Sequence, residues 1–404
     1  QKFYVEKINI FGNEYTIEEV IRNSLIVDEG DPYNEILFNK SINKIKSRNI
    51  FGKVESKILD GSGPNLKIID LTVEEKATGE ISLGAGIGTS GGTVGGGIKE
   101  NNFLGKGIKL DSNLQVSKKT VEGRFTYEKP NFNNTENSLF TSLKSVSTDN
   151  LINSGYKTSE TAFSMGTSFL QYENITLRPE LSVAYEKLKT TSSASAALKK
   201  QKGNYFDTYF NYSIDHDLRN NKYRPTEGFR NNFYQELPVA SSNYEIVNSF
   251  ETAKYKKISD VVTKISFFGR AVNTLSNKDV RISKRLYMPA KKLRGFESGK
   301  MGPIEKNNFI GGNYMSSVNF NATLPNFFPA FENTDISYFI DAANVWGIDY
   351  DSSINDESKI RSATGFAIDI FTPVGPLNFS LAAPITKSST DRTERFRFNL
   401  GTTF

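Results

Sequence analysis

The sequence predicts a mainly β fold: an antiparallel transmembrane β-barrel of about 16 strands, preceded by one small α+β unit of order β-α-α-β-β. Three observations carry this. Apolar residues recur at helical spacing only within residues 1–76. From Glu80 to Phe404 they alternate with polar residues at period two, in segments of about ten residues. No apolar run reaches the roughly 18 residues that a membrane helix requires.

Residues 1–76 open with a strand-like run, Phe3–Phe11, that ends at Gly12-Asn13. Thr16-x-x-Glu19 has the form of a capping box, in which hydroxyl and carboxylate satisfy the free N–H groups of a helix start. The helix it would open carries Ile17, Val20, Ile21 and Leu25 on one face, and Asp28-Glu29-Gly30-Asp31-Pro32 stops it. A second helix starts near Asn34, with Phe38, Ile42 and Ile45 on one side. Two strands follow, Phe51–Leu59 and Leu66–Glu74, joined by Asp60-Gly61-Ser62-Gly63-Pro64. Helical spacing ends there, which sets the boundary near Ala77-Thr78-Gly79 and assigns residues 80–404 to the barrel.

At the end of the chain, in Thr393–Phe404, Phe396, Phe398, Leu400, Thr402 and Phe404 share one face, and Arg395, Arg397 and Asn399 the other. Leu377, Phe379, Leu381, Ala383 and Ile385 alternate with Asn378, Ser380 and Ala382; Ile336, Tyr338 and Ile340 alternate with Ser337, Phe339 and Asp341. One face is suited to hydrocarbon. Short turns at Asn101-Asn102, Glu173-Asn174 and Pro373-Val374-Gly375-Pro376 take turns with longer segments at Ser147–Gly155, Thr190–Gly203 and Gly347–Ser358. That is the pattern of short periplasmic turns and long external loops. A soluble sandwich or propeller also uses many short strands. Aromatics near segment ends argue against it, because Tyr127, Phe132, Tyr172, Tyr223, Phe229, Phe327, Phe328 and Phe331 suit interfacial girdles.

Charge and composition narrow the function. Lys+Arg 50 against Asp+Glu 45 leaves +5 dispersed along the chain, without the basic block that tracks nucleic-acid phosphates. Without cysteine there is no thiol nucleophile, thiolate metal site or disulfide. Gln1 brings neither an initiator Met nor a signal-peptide pattern, so the chain is expected to be a mature piece or segment. The mean hydropathy of -0.44 is what a polar-lumen barrel gives, since only alternate residues meet lipid. His216, the single histidine, lies in Ile214-Asp215-His216-Asp217, and an Asp-His pair could orient a base for a serine. The stretch instead reads as a strand end before the turn Pro225-Thr226-Glu227-Gly228. Asp215 and Asp217 lack the third carboxylate and the glycine of a calcium loop. No catalytic residue, metal or cofactor is assigned.

Two stretches are candidate sites. Glycine crowds the first two barrel strands, at 79, 84, 86, 88, 91, 92, 95, 96 and 97. Glycine inside a strand removes packing side chains and raises the entropy cost of order. Closure pairs the first strand with the last, so the weakest seam is expected between Ile81–Gly88 and the terminal strand, with Gly84, Gly86, Gly88, Gly401 and Phe404 as its residues. Accommodation of barrel curvature is the alternative use of those glycines. The second stretch is the long irregular segment 273–312 with Leu293-Arg294-Gly295-Phe296. Arg294 offers a five-donor fork, Gly295 a tight bend and Phe296 an apolar plug. Folded into a lumen, that guanidinium requires an inward-facing carboxylate. Alternation nominates Asp341, opposite in face to Tyr338 and Ile340, and Asp369, opposite in face to Ile368 and Ile370.

These residues carry a resemblance over essentially the whole chain. The β-α-α-β-β unit, with GNEYT at 12–16 and DEGDPYN at 28–34, resembles a POTRA domain. The barrel resembles the BamA-type family of outer-membrane assembly proteins in ENNFLGKG at 100–107, RPTEGFR at 224–230, LRGF at 293–296, FIDAANVW at 339–346, TPVGPLNFSLAAP at 372–384 and the terminal Phe404. The resemblance implies the outer membrane of a Gram-negative bacterium, the POTRA unit in the periplasm, and a role in folding and inserting unfolded outer-membrane β-barrel clients. It also implies Bam-complex lipoproteins docked through the POTRA unit, and it ranks Asp341 ahead of Asp369 as the acceptor for Arg294. One POTRA-like unit where the family strings several is a departure, so this unit is expected to be the last of a series. TamA-like factors and two-partner-secretion transporters share the RGF loop and terminal strand, which leaves polypeptide translocation as the alternative function. A weakly paired edge exposes backbone donors and acceptors for an incoming strand. With no nucleotide motif, the free energy must come from burying the client's apolar face in the bilayer.

Overall fold

The computed structural model describes residues 2–151, 155–192, 194–305, 308–325, 333–350, 353, 354, 356, 358–372 and 375–401. At the N-terminus lie β1 (Tyr4–Phe11), α1 (Glu18–Arg22), α2 (Glu35–Ser47), β2 (Phe51–Asp60) and β3 (Leu66–Glu75). The sheet order is β1-β3-β2, with β3 parallel to β1 and antiparallel to β2. Helical spacing buries Val20, Ile21 and Ile45 against Val54, Leu71 and Val73, and Phe38 against Val5, Ile8 and Ile69. Asn34 caps α2, its Oδ1 accepting from the N–H groups of Ile36 at 2.9 Å and Leu37 at 3.1 Å.

The capping box at Thr16-x-x-Glu19 does not form. The N-cap of α1 is Ile17, without a side-chain bond, and the short helix leaves Leu25 beyond its end. Thr16 is engaged elsewhere: its N–H donates to Glu75 Oε1 at 2.6 Å and its hydroxyl accepts from Asn102 Nδ2 at 2.8 Å. Tertiary partners thus displace the local cap.

The remaining strands are β4 (Gly79–Gly88), β5 (Gly91–Phe103), β6 (Ile108–Ser117), β7 (Thr120–Lys129), β8 (Ser138–Asn150), β9 (Tyr156–Tyr172) and β10 (Ile175–Thr190). After the short helix α3 (Ala196–Lys200) come β11 (Gly203–Asp217), β12 (Gly228–Ala240), β13 (Glu245–Ile258) and β14 (Val261–Thr274). The small hairpin β15 (Ile304–Glu305) and β16 (Asn308–Phe309) precedes β17 (Tyr314–Thr323), β18 (Thr334–Trp346), β19 (Arg361–Thr372), β20 (Gly375–Thr386) and β21 (Phe396–Gly401). Without β15 and β16, β4 to β21 form a closed 16-stranded antiparallel barrel in which β21 returns to β4. Period two is visible in its walls: Ile340 and Ile368 are exposed, whereas Ser337, Phe339 and Asp341 are buried. Two compact units are distinguishable, one of Gln1–Ser82, Gly97–Asn113 and Arg124–Ser142, the other of Leu83–Gly96, Leu114–Gly123 and Leu143–Phe404.

Several boundaries differ from the sequence reading. Asn101 and Asn102 belong to β5, and the chain reverses at 104–107, where Leu104, Gly105 and Gly107 take positive φ. Asn102 is buried and accepts the Gly107 N–H at 2.8 Å, so it braces the turn from within the strand. The segment from Ser147 stays in β8 as far as Asn150. Loop length does not alternate strictly either. By strand parity Leu218–Glu227 lies on the side of the barrel termini, yet it is long; Asn220 Oδ1 staples it by accepting from Thr226 N at 3.1 Å and Glu227 N at 3.2 Å. The terminal strand begins at Phe396 and not at Thr393, because Thr393 is bridged to Phe296. Pro373, Val374, Phe327, Phe328, Phe331, Thr402 and Phe404 lie outside the described residues.

Candidate functional site: the loop latch and the seam

The chain between β14 and β17 packs as a core inside the strands. Val280, Leu286, Met288, Leu293, Phe296 and Met301 are buried with wall residues that include Val272, Met315, Val345 and Ala363. This apolar burial holds the segment down and brings its polar side chains within reach of the wall.

Arg294 meets Asp341 there. Its Nε donates to Asp341 Oδ2 and its Nη2 to Oδ1, each at 2.7 Å, while its backbone N–H reaches Oδ2 at 3.0 Å. Nη2 also donates to Asn321 Oδ1 at 2.8 Å, and the guanidinium stacks 3.6 Å from the Phe339 ring centroid. Asn319 Nδ2 bridges Asp341 Oδ1 and the Lys292 carbonyl, 2.8 Å from each. The Asp341 side chain is 0% exposed and that of Arg294 16%. A buried carboxylate is tolerable when a fork pairs with it in this way.

Gly295 has φ +89°, and a Cβ there would lie 3.1 Å from Ala382 Cβ and 3.2 Å from Ala363 Cβ. The bend and the close approach both require glycine. Phe296 is buried and forms an antiparallel bridge with Thr393. Asp369 is not the hydrogen-bonded acceptor of Arg294, although the guanidinium lies near enough to act on it electrostatically: it accepts from Asn378 Nδ2 at 2.6 Å and stands opposite Asp335 in the ladder. Within the same loop, burial, with Lys119 and Arg392 nearby, pushes Lys300 below the usual lysine range.

At the seam, the described pairs of β21 with β4 are Asn399 with Gly88, Leu400 with Ile87 and Gly401 with Gly86. Along β4 the exposed residues Ile81, Leu83 and Ile87 alternate with half-buried Ser82, Gly84, Gly86 and Gly88. The inner face of this strand is therefore nearly bare of side chains. Gly84 has no partner in β21 among the described residues, and Phe404 lies outside them.

His216 packs edge-on to Phe229, with ring centroids 5.1 Å apart, and its neighbours Asp215 and Asp217 are held by Arg230 and Arg219. The sequence reading missed Arg281, a buried cation of the same loop that is ion-paired to Glu186, Asp207 and Glu245. The available signal was the set of carboxylates on lumen-facing positions of different strands, which require a cation.

A family profile described as the Omp85 superfamily domain matches residues 102–404, and one described as POTRA, surface antigen variable number repeat, matches residues 3–76. The outer membrane protein assembly factor BamA of Neorickettsia risticii is 22% identical over 412 residues, covering 100% of this chain and 55% of that protein. The BamA of Neisseria meningitidis serogroup B is 23% identical over 470 residues, covering 100% and 57%. The chain thus spans about half the length of the curated relatives it matches. The human sorting and assembly machinery component 50 homolog is 24% identical over 257 residues, 63% of this chain and 55% of that protein. Among solved structures, BamA from Haemophilus ducreyi lacking POTRA domains 1-3 has a TM-score of 0.88 at 24% identity, covering 100% of this chain and 85% of that one. CdiB from Acinetobacter baumannii has a TM-score of 0.63 at 12% identity, covering 99% and 74%.

Proposed function

The chain belongs to the Omp85 superfamily, and from that premise we propose that it assembles β-barrel proteins into the outer membrane, without enzymatic chemistry, by admitting unfolded client strands at the seam between β4 and β21. The barrel resides in the outer membrane and the POTRA module in the periplasm. The observation that carries the proposal is the seam itself: β21 closes the barrel against a strand whose half-buried face carries glycine at 84, 86 and 88. Each backbone group freed there can pair with a client strand, and a closing client buries its apolar face in lipid. The Arg294 latch sets the resting position of the loop.

The experiment is a reversible lock. The chain has no cysteine, so Ile87→Cys with Leu400→Cys, register partners across the seam, forms a disulfide free of competing thiols. Oxidation is expected to stop client insertion and reduction to restore it. Insertion that continues under oxidation would reject the seam and turn the reading toward translocation through the lumen.

The POTRA module serves as the docking element for clients and accessory lipoproteins of the assembly complex. Its sheet leaves β2 as an edge strand, suited to strand addition. Removal of residues 1–76 is expected to leave a folded barrel that no longer co-purifies such partners. Retained co-purification would move the docking surface to the barrel.

A further inference from the structure

Among the contacts that hold the loop between β14 and β17, those of two arginines differ in construction. Arg281 is 0% exposed, a fully buried cation. Its Nε and Nη2 donate to Glu245 Oε2 at 2.9 and 2.7 Å, and its backbone N–H to Glu245 Oε1 at 2.7 Å. Nη1 reaches Glu186 Oε2 at 3.2 Å, and Nη2 lies 2.7 Å from Asp207 Oδ2 and 3.1 Å from the Tyr209 hydroxyl. The Tyr205 ring covers the guanidinium, with 4.6 Å to its centroid. These acceptors come from β10, β11 and β13. On either side of Arg281 the backbone is also tied: Asn243 Nδ2 donates to the Asp279 carbonyl at 3.0 Å, and Ile282 N–H to Gln201 Oε1 at 2.7 Å.

Arg294 is held by one carboxylate and one amide, from neighbouring β17 and β18, and is partly open to solvent. Removing a cation from a buried set leaves its acceptors charged and unpaired. Loss of Arg281 takes the shared cation from three carboxylates on three strands, leaving Asp207 its bonds from Ser241 and Ser242 and Glu245 that from Asn243, whereas release of Arg294 takes it from one carboxylate, which keeps its bond from Asn319. We infer that Arg281 is the fixed pivot of this loop and Arg294 its releasable end, so that the segment swings about residues 279–282 when the latch opens. The purpose of that swing rests on the assembly reading; the pivot itself does not.

Single-cysteine reporters in the full chain, reconstituted in liposomes, test it, since no native thiol interferes. Val280→Cys reports the pivot and Leu293→Cys the latch, both positions being 0% exposed. With a membrane-impermeant maleimide, Arg294→Ala is expected to raise labelling of Leu293→Cys by about tenfold or more, as local opening does, and to leave Val280→Cys protected. Arg281→Gln is expected to raise labelling at both. Glu245→Gln is the milder variant should Arg281→Gln fail to fold, which heat-modifiable gel migration reveals. Exposure of both reporters by Arg294→Ala, or protection of Val280→Cys in both the Arg281→Gln and Glu245→Gln proteins, would overturn the pivot. No client enters this assay, so its outcome is separable from insertion activity measured in parallel.

Discussion

Phe296 and Thr393 form an isolated antiparallel bridge. It is flanked by Glu297 N–H donating to the Arg392 carbonyl at 3.0 Å and Glu394 N–H donating to the Gly295 carbonyl at 2.9 Å. The loop tip that Arg294 anchors therefore also holds the chain that enters β21. Latch and seam are joined through a few residues of backbone.

The latch is expected to behave as a coupled pair. Arg294→Ala and Asp341→Ala should each loosen the loop, and their double-mutant cycle should return a coupling of about 1–3 kcal/mol, as for hydrogen bonds to charged groups. Arg294→Lys should cost nearly as much as alanine, because an ammonium cannot serve both carboxylate oxygens and Asn321 from one plane. Protease protection of the loop measures this, and additive effects would dissolve the pair.

Gly88 faces the terminal strand so closely that a Cβ would lie 2.7 Å from the Phe398 carbonyl oxygen. Gly88→Ala is expected to push the strands apart. The reading is a lower yield of the disulfide between Ile87→Cys and Leu400→Cys, with faster hydrogen exchange in β21. An unchanged yield would show that the ladder can shift to accept a methyl group.

In the POTRA module, burial pushes the Glu75 carboxyl up, but bonds from the Thr16 hydroxyl and the N–H groups of Tyr15, Thr16 and Glu14 outweigh it, leaving the group below the usual glutamate range. A depressed folded pKa means stability that is present above the unfolded value and lost as the pH falls through the folded one. The module should therefore weaken in acid below about pH 4.5, the ordinary glutamate region. Glu75→Gln should flatten that dependence. Hydrogen exchange at Val20 and Ile21, corrected for intrinsic rate, is the measurement; an equal acid slope in both proteins would assign the effect elsewhere.

Much of the architecture was legible because period two is fixed by backbone geometry. Alternation alone puts Asp341 on the face opposite Ile340, and the structure has it buried there against Arg294. Strand ends were less legible, since they depend on partners distant in sequence: Thr16 leaves its capping role for Glu75 and Asn102, and Thr393 leaves the last strand for Phe296. Arg281 was harder to read for a related reason, its one signal being spread over distant strands. Its acceptors sit on β10, β11 and β13, so recognising them requires the register of several strands at once, and no local pattern encodes that.

Asp341 accepts from the backbone N–H, Nε and Nη2 of Arg294 and from Asn319, so both oxygens are saturated. Nε and Nη2 belong to one rigid plane, and turning that plane away breaks both bonds at once. No half-released geometry keeps most of the attraction. The guanidinium is then either seated or free, giving the latch a toggle and not a spring.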